Sequence, residues 1–172
     1  IENILNKDIT EIRKVMINKK KHEIQILLSQ VKRDKSGNIS FIEDSYQLDE
    51  NKYFYPASTI KLPIAIMTLS KINELRAEGS NISLKSKLKL SLINNKKEII
   101  VKDSITSFQN LIADVFLVSD NSASNVLIDF IGYNYFNSSM SNLGFENTYL
   151  NHKINPDPLV DSYWIITNID ND

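Results

Sequence analysis

Tyr55-Pro56-Ala57-Ser58-Thr59-Ile60-Lys61-Leu62-Pro63 is the stretch from which the rest of this sequence can be interpreted. Ser58 and Lys61 lie one helical turn apart at the start of an apolar run, so in a helix that opens at Ser58 they share one face. A lysine amine with a lowered pKa can then remove the proton of the serine hydroxyl. The positive field of a helix N-terminus favours negative charge at the serine. The stretch therefore predicts a serine nucleophile with a lysine base, a pair suited to acyl transfer.

The pattern Ser-x-x-Lys alone does not identify the site, because it begins at Ser29, Ser58 and Ser86. The copy at Ser29 lies in a segment predicted as a strand, where an odd offset puts the two side chains on opposite faces. The copy at Ser86 lies in residues 82–90, whose apolar residues alternate and indicate an extended chain. Only the copy at Ser58 stands at a predicted helix start.

A second motif, Ser119-Asp120-Asn121, occurs once and separates two predicted amphipathic helices. Ser-x-x-Lys followed at about this distance by Ser-Asp-Asn resembles the penicillin-recognising serine enzymes, and most closely the class A β-lactamases. The flanking residues agree, in Tyr55-Pro56-Ala57 and in Asn121-Ser122-Ala123-Ser124-Asn125-Val126-Leu127. The resemblance covers about residues 23–159. It implies an α/β (α+β) fold of the β-lactamase/transpeptidase type, with an N-terminal helix and hairpin followed by a helical domain.

The resemblance also implies a role for each motif residue. Ser58 is expected to be the nucleophile, with its backbone N–H as one oxyanion donor. Lys61 is expected to be the general base of acylation, although the identity of that base is disputed for class A enzymes. Ser119 would relay a proton to the leaving nitrogen, and Asn121 would bind Lys61 and the amide carbonyl of the substrate. Asp120 is expected to point inward and hold the loop.

The sequence departs from the family pattern in the loop that supplies the base of deacylation. The family has Arg-x-Glu-Pro-x-x-Asn there, whereas this chain has Lys153-Ile154-Asn155-Pro156-Asp157-Pro158-Leu159. Asn155 therefore occupies the position of the glutamate that activates water. His152 and Asp157 are the alternative bases, although a single loop histidine is more often only solvated.

A second departure concerns the Lys-Thr-Gly strand of the family, which supplies half of the oxyanion hole and does not occur here. We therefore expect the C-terminal strands of the fold to be missing from this chain, and the chain by itself to be an inactive, truncated form. A C-terminal fragment or a strand-exchanged second copy would then complete the sheet, since a two-stranded hairpin is marginally stable alone.

The hydrophobic patterns divide the sequence into three parts, 1–53 on the sheet side, 54–150 mainly helical with the site, and 151–172 as an irregular loop. Residues 94–102 are predicted to be polar and exposed. Thr106 is the predicted N-cap of the helix that follows it. The apolar positions of that helix predict a buried stripe of Phe108, Leu111, Ile112, Val115 and Phe116. The core candidates of the helix that contains Lys61 are Ile64, Met67, Leu69 and Leu75. The predicted elements are a helix over Glu2–Asn18, strands over Glu23–Arg33, Asn38–Tyr46 and Ile82–Leu90, and helices over Ser58–Glu78, Ser107–Val118, Ser122–Ile131 and Tyr133–Leu143.

Composition excludes several classes of function. The 172 residues are 42% hydrophobic and 24% charged, which suits a folded domain. The net charge of −1 gives no support for a nucleic-acid partner. There is no cysteine for disulfides or thiol chemistry, and the longest apolar run, Leu62–Leu69, is too short to span a bilayer. The first residues lack a signal-peptide pattern, so we expect that such a segment has been removed or never existed.

Three functions remain as hypotheses. The first is a β-lactamase-like serine hydrolase that acts through an acyl-enzyme on β-lactams or D-Ala-D-Ala-like peptides. The second is a penicillin-binding protein relative that deacylates slowly, and the third is a non-catalytic module that binds cell-wall fragments with the same fold. None of the three calls for a metal or a cofactor. All three place the protein in the periplasm, outside the cell or in the cell envelope.

Overall fold

The computed structural model describes residues 1–7, 9–94, 99–154 and 162–170. The chain divides into two compact units, Ile1–Tyr55 and Pro56–Asp172, and each is described by itself. In the described ranges, none of the helices combines the length and the apolar character that crossing a membrane requires. The architecture is mixed, with helices and small antiparallel sheets, as the sequence predicted.

The first unit begins with three short helices, α1 (Glu2–Leu5), α2 (Thr10–Ile17) and α3 (Lys19–His22). The single helix expected over Glu2–Asn18 is therefore wrong. Ile9 has an extended backbone, which a β-branched residue adopts readily, and it separates α1 from α2. None of the residues in these helices is buried, so their apolar periodicity does not mark a core face.

A β-hairpin follows, made of β1 (Ile26–Arg33) and β2 (Ile39–Tyr46). The strands pair antiparallel, from Ile26 opposite Tyr46 to Arg33 opposite Ile39. The Asp34 carboxylate accepts hydrogen bonds of 2.8 Å from the backbone N–H groups of Ser36 and Asn38, and this closes the turn. The predicted hairpin is thus confirmed, and among the described residues it forms a sheet of two strands.

The second unit is built around four helices, α4 (Lys61–Ala77), α5 (Phe108–Leu117), α6 (Asn121–Ile131) and α7 (Tyr133–Asn142). Helix α6 is central, because it packs against α4, α5, α7 and a strand of the sheet. The helices meet over fully buried apolar side chains, among them Ile64, Phe108, Leu127, Ile131 and Phe136. Leu69 and Phe116, which the helical pattern predicted in the core, are instead exposed.

The same unit contains an antiparallel sheet in the order β4-β3-β5, with β3 at Leu88–Ile93, β4 at Ile99–Thr106 and β5 at Tyr163–Asn168. Two predictions are corrected here, and β4 was not predicted. The strand expected over Ile82–Leu90 begins only at Leu88, and the tail expected to be irregular contains β5. The β5 sequence Tyr-Trp-Ile-Ile-Thr is rich in strand-forming residues, and its Trp164 and Ile166 pack against the core.

The N-cap of α5 lies one residue later than predicted. Thr106, expected to cap α5, is the last residue of β4, and Ser107 is the N-cap. The Ser107 hydroxyl accepts a hydrogen bond of 3.2 Å from the backbone N–H of Asn110, because Ser107 has the extended backbone that a cap requires.

Candidate active site

Ser58 lies in a 3₁₀ turn, Ala57–Ile60, that leads directly into α4. The helix was predicted to begin at Ser58, but α4 begins at Lys61, three residues later. The turn is fixed by Thr59, whose hydroxyl and backbone N–H donate to the carbonyl of Pro56 at 2.6 and 3.0 Å. The first N–H groups of a helical segment have no partner within it, so that of Ser58 is available as a donor. Its side chain is exposed.

Lys61 projects into the loop between α5 and α6 and is only 3% exposed. Its ammonium donates to Ser119 Oγ at 2.9 Å, to Asn121 Oδ1 at 2.7 Å and to the carbonyl oxygen of Ser119. Three N–H donors thus meet three acceptors, and all three acceptors are uncharged oxygens. Among the residues that the structure describes, no carboxylate bonds directly to the amine.

The amine of Lys61 was expected to contact Ser58 directly, and the described residues do not show that bond. Ser119 lies between them, with its Oγ 3.3 Å from Ser58 Oγ and 2.9 Å from Lys61 Nζ. The three N–H donors of the Lys61 amine are already bonded to two oxygens of Ser119 and one of Asn121. The structure therefore brings Ser58, Lys61, Ser119 and Asn121 together, but as a hydrogen-bonded chain in which Ser119 is the middle member.

The loop holds Ser119 in the left-handed region, at φ +56°. A non-glycine residue there costs on the order of 1–3 kcal/mol, a strain that surrounding contacts must offset. This backbone lets both the hydroxyl and the carbonyl of Ser119 bind Lys61. Asp120 holds the loop, because its carboxylate caps α6 by accepting a 2.7 Å hydrogen bond from the backbone N–H of Ala123.

The electrostatics of the site act mainly on Lys61. Burial lowers its pKa from the ordinary lysine value, and the charge of Asp120 opposes that shift. Ser58 and Ser119 are both exposed, so the two hydroxyls are accessible while the amine is desolvated. The desolvated amine therefore loses its proton more readily than that of an exposed lysine.

An open pocket of about 340 Å³ lies beside these groups. Apolar side chains of Leu62, Val115 and Phe116 form one wall, and Ser58, Lys61 and Ser119 form the polar part. Phe116 is 56% exposed, so this wall continues onto the surface. Sequence analysis did not identify the wall, because the helical pattern of α5 predicted Phe116 to be buried.

A second group of contacts anchors the chain around the candidate deacylation loop. Lys153 donates at 2.6 Å to Asp129 Oδ2 and at 2.7 Å to the carbonyl of Ser162. Burial raises the pKa of Asp129, and the hydrogen bond from Lys153 opposes that rise. The same Asp129 oxygen accepts the backbone N–H of Trp164 at 2.7 Å. Asn155 and Asp157 lie outside the described residues.

His152 and Asn125 contact the backbone of Lys153 and Ile154. The exposed ring of His152 has its Nδ1 2.8 Å from the carbonyl oxygen of Lys153. Asn125 binds the backbone of Ile154 in both directions, accepting its N–H at 2.9 Å and donating to its carbonyl at 3.1 Å. Sequence analysis assigned Asn125 and Asp129 no role. The available signal was their spacing of four and eight residues after Asn121, which places all three on one face of α6.

The comparison with known families agrees with this geometry. The profile of the Beta-lactamase enzyme family matches residues 7–167. The chain belongs to this family. The resemblance inferred from Ser-x-x-Lys and Ser-Asp-Asn is thereby confirmed at the level of the family. No curated protein sequence matches the chain.

A solved structure supports the fold of this family member. The crystal structure of a beta-lactamase from Sphaerobacter thermophilus DSM 20745 superposes with a TM-score of 0.51 at 15% sequence identity. The match covers 88% of this chain and 56% of that one, so the chain spans little more than half the length of that protein. At such low identity the likeness shows the β-lactamase-like fold and nothing further.

Proposed function

We propose that this chain carries the acylating centre of a β-lactamase-like serine hydrolase that acts on β-lactams or on D-Ala-D-Ala-like peptides of the cell wall. The observation that carries the proposal is the hydrogen-bonded chain Ser58–Ser119–Lys61, with a buried amine at one end and an exposed hydroxyl at the other. Family membership supports a hydrolase of this type. Such substrates are found in the periplasm and cell envelope, or outside the cell, where we place the protein.

Acylation would begin from a neutral Lys61. Ser58 Oγ attacks the carbonyl carbon of the substrate, and its proton passes to Ser119 Oγ while the proton of Ser119 passes to Lys61 Nζ. The tetrahedral intermediate then collapses, and the C–N bond breaks. Proton transfer now runs in the opposite direction. Lys61 returns a proton to Ser119, and Ser119 gives its own proton to the leaving nitrogen. The products are an ester on Ser58 and a free amine.

Substrate binding would use the remaining groups of the site. The backbone N–H of Ser58 is one donor to the developing oxyanion. Asn121 has its carbonyl oxygen on Lys61, which leaves its amide N–H₂ for the carbonyl of the substrate side chain. The second oxyanion donor would come from a C-terminal polypeptide fragment or from a strand-exchanged second copy. Either partner would also add strands to the hairpin β1–β2.

The function is tested first on the native protein. This term means the form isolated from its source, together with any polypeptide that accompanies these 172 residues. Mixing it with a fluorescent penicillin should attach one label, and peptide mapping should find it on Ser58. Ser58→Ala should not label, whereas Ser86→Ala, which alters a second Ser-x-x-Lys, should label normally. Absence of labelling in the native protein would favour a non-catalytic wall-binding module.

The second experiment uses the isolated 172-residue chain. It should be unable to hydrolyse a β-lactam, and a monodisperse active monomer would contradict that expectation.

A second candidate, a slowly deacylating penicillin-binding protein relative, is favoured by Asn155. An asparagine amide has no basic lone pair with which to activate water. General-base assistance is typically worth about 10²–10⁴-fold, so release of the acyl group should be slower by about that factor. Intact-protein mass spectrometry should therefore show a persistent adduct in the native protein and a rapidly cleared one in Asn155→Glu. Rapid clearance in the native protein that is lost in Asp157→Ala would identify Asp157 as the base instead.

A further inference from the structure

The pocket beside the candidate active site has a reactive part and an apolar part. The apolar part is formed by the side chains of Leu62, Val115 and Phe116. Val115 is buried, whereas Leu62 and Phe116 are 54% and 56% exposed. A ligand group that covers Leu62 and Phe116 removes apolar surface from water, and this favours its binding. The wall is therefore suited to an apolar group of a substrate that reacts at Ser58.

The polar side chains of the pocket are largely bonded within the protein. The three N–H donors of Lys61 bind the loop, and the hydroxyl of Thr59 donates to the carbonyl of Pro56 at 2.6 Å. Lys61 is the only charged residue among the described residues that line the pocket. A charged substituent would thus lose its water without gaining a free ammonium or guanidinium partner from the lining. The lining favours an apolar substituent over a charged one.

The lining also indicates which half of the substrate lies in the pocket. Ser119 lines it, and in the proposed reaction Ser119 gives its proton to the leaving nitrogen. That nitrogen must then come within about 3 Å of Ser119 Oγ. Asn121, which would bind the acyl half of the substrate, does not line the pocket in the described part of the chain. A substituent on the leaving nitrogen therefore begins beside the apolar wall.

We propose that Leu62, Val115 and Phe116 form a subsite for an apolar side chain on the leaving amine. This inference rests on the proposed function and names the class of substrate for the same site. Peptides of the form acyl-D-Ala-D-Xaa should acylate Ser58 faster when the last residue has an aliphatic or aromatic side chain. The pocket of about 340 Å³ lies near the lower end of the roughly 300–1,000 Å³ of small-molecule sites, which suits one such side chain.

The first experiment measures acylation alone. The native protein, in excess over the peptide, is mixed with acyl-D-Ala-Gly, acyl-D-Ala-D-Ala, acyl-D-Ala-D-Leu or acyl-D-Ala-D-Phe, and release of the last residue is timed by mass spectrometry. This release precedes deacylation, so slow turnover does not affect it. The D-Leu and D-Phe peptides should react at least about tenfold faster than the Gly peptide.

Variants of Phe116 test whether the wall causes this preference. Phe116→Ala should slow the D-Leu peptide far more than the Gly peptide, and the ratio of their rates should fall to within about threefold of one. Phe116→Leu, which restores an apolar side chain, should recover the preference for D-Leu. Phe145→Ala is the matched control, because Phe145 is also 56% exposed but lies outside the pocket. Leu117→Ala changes an exposed neighbour of Phe116 that does not line the pocket, and it should keep the parent's ratio.

The second experiment needs no reaction. In Ser58→Ala, the methyl resonances of Leu62 and Val115 are followed by NMR while acyl-D-Ala-D-Leu is added. Both should shift and saturate, the Gly peptide should shift them less, and the exposed Leu143 should not respond. Adding Phe116→Ala should weaken this binding at least about fivefold, because apolar contact area is lost.

The outcomes separate this inference from the proposed function. Equal acylation by all four peptides would overturn the subsite, and so would a preference that survives in Phe116→Ala. Equal slowing of all four peptides in that variant would also overturn it, because Phe116 would then only support the fold. If no peptide is cleaved, labelling by penicillin decides the proposed function, and the NMR titration alone decides the subsite. Unshifted resonances of Leu62 and Val115 would then overturn it. A melting temperature for each variant confirms that the measured protein is folded.

Discussion

Replacement of Ser119 by alanine tests the proposed proton route most directly. The hydroxyl of Ser119 is 3.3 Å from that of Ser58 and 2.9 Å from the amine of Lys61, and no direct bond joins Ser58 to Lys61 among the described residues. Ser119→Ala therefore removes the hydroxyl that lies between Ser58 and Lys61 and leaves those two side chains in place. If protons pass through Ser119, formation of the acyl-enzyme should nearly cease.

The magnitude follows from the contacts that are lost. General acid–base assistance is worth about 10²–10⁴-fold, which corresponds to a rise of about 2.7–5.4 kcal/mol in the activation barrier to acylation. Stability should change less. The buried amine of Lys61 keeps two of its three acceptors, so the free energy of unfolding should fall by about 1–3 kcal/mol.

The assay is the rate at which the native protein forms its penicillin adduct, followed by intact mass at saturating penicillin. Ser119→Gly is the matched variant, because it also lacks the hydroxyl but adopts the φ of +56° without strain. Both variants should lose acylation to the same extent, while Ser119→Gly should be the more stable of the two. Acylation by Ser119→Ala within about fivefold of the parent would refute the route, and would mean that Lys61 reaches Ser58 directly when substrate is bound.

Four further predictions concern the base and the core. Acylation should rise with pH as Lys61 loses its proton, with a midpoint below the ordinary lysine pKa of 10.5, and Lys61→Arg should be inactive at every pH. Because folded Lys61 releases its proton at a lower pH than unfolded Lys61, the free energy of unfolding should also rise with pH between those two pKa values, which urea titrations at several pH values would measure. Asn121→Asp should raise the pKa of Lys61 and slow acylation at pH 7 by at least about tenfold, with recovery at higher pH in a rate profile. Leu127→Ala should lower the free energy of unfolding by about 2–5 kcal/mol in urea titrations, whereas Leu143→Ala, at an exposed position, should change it little.

The candidate site was predictable because its signals are local. Ser58 and Lys61 stand at a helix start, and Ser119-Asp120-Asn121 precedes an amphipathic helix, so the two motifs meet when α4 packs against α6. The order of the contacts was not predictable. It depends on which oxygens the three N–H donors of Lys61 meet and on the left-handed backbone of Ser119, and neither follows from the pattern of residue types.

The errors in the fold have a different physical origin. The errors in the sheet of the second unit involve strands that pair with a distant segment. Strand β5 pairs with β3, from Leu88 opposite Asn168 to Ile93 opposite Tyr163, across 70 to 80 residues of sequence. A hydrophobic pattern reports which face of a segment is apolar but not whether a second strand will lie beside it. The hairpin β1–β2 was predicted, although β1 begins at Ile26 and not at Glu23, because its partner strands are joined by a turn of only five residues, 34–38.

The chemistry of the acceptors around Lys61 explains why the motif has these three residues in this order. A buried ammonium needs three acceptors, and a carboxylate among them would hold its proton more tightly. Ser119 and Asn121 supply uncharged oxygens only, while the carboxylate between them binds the backbone N–H of Ala123. Asp120 thus stabilises the start of α6 and fixes the loop, and its charge acts on Lys61 only at a distance. The amine is therefore held firmly in place and can still lose its proton, which are the two properties that a lysine base requires.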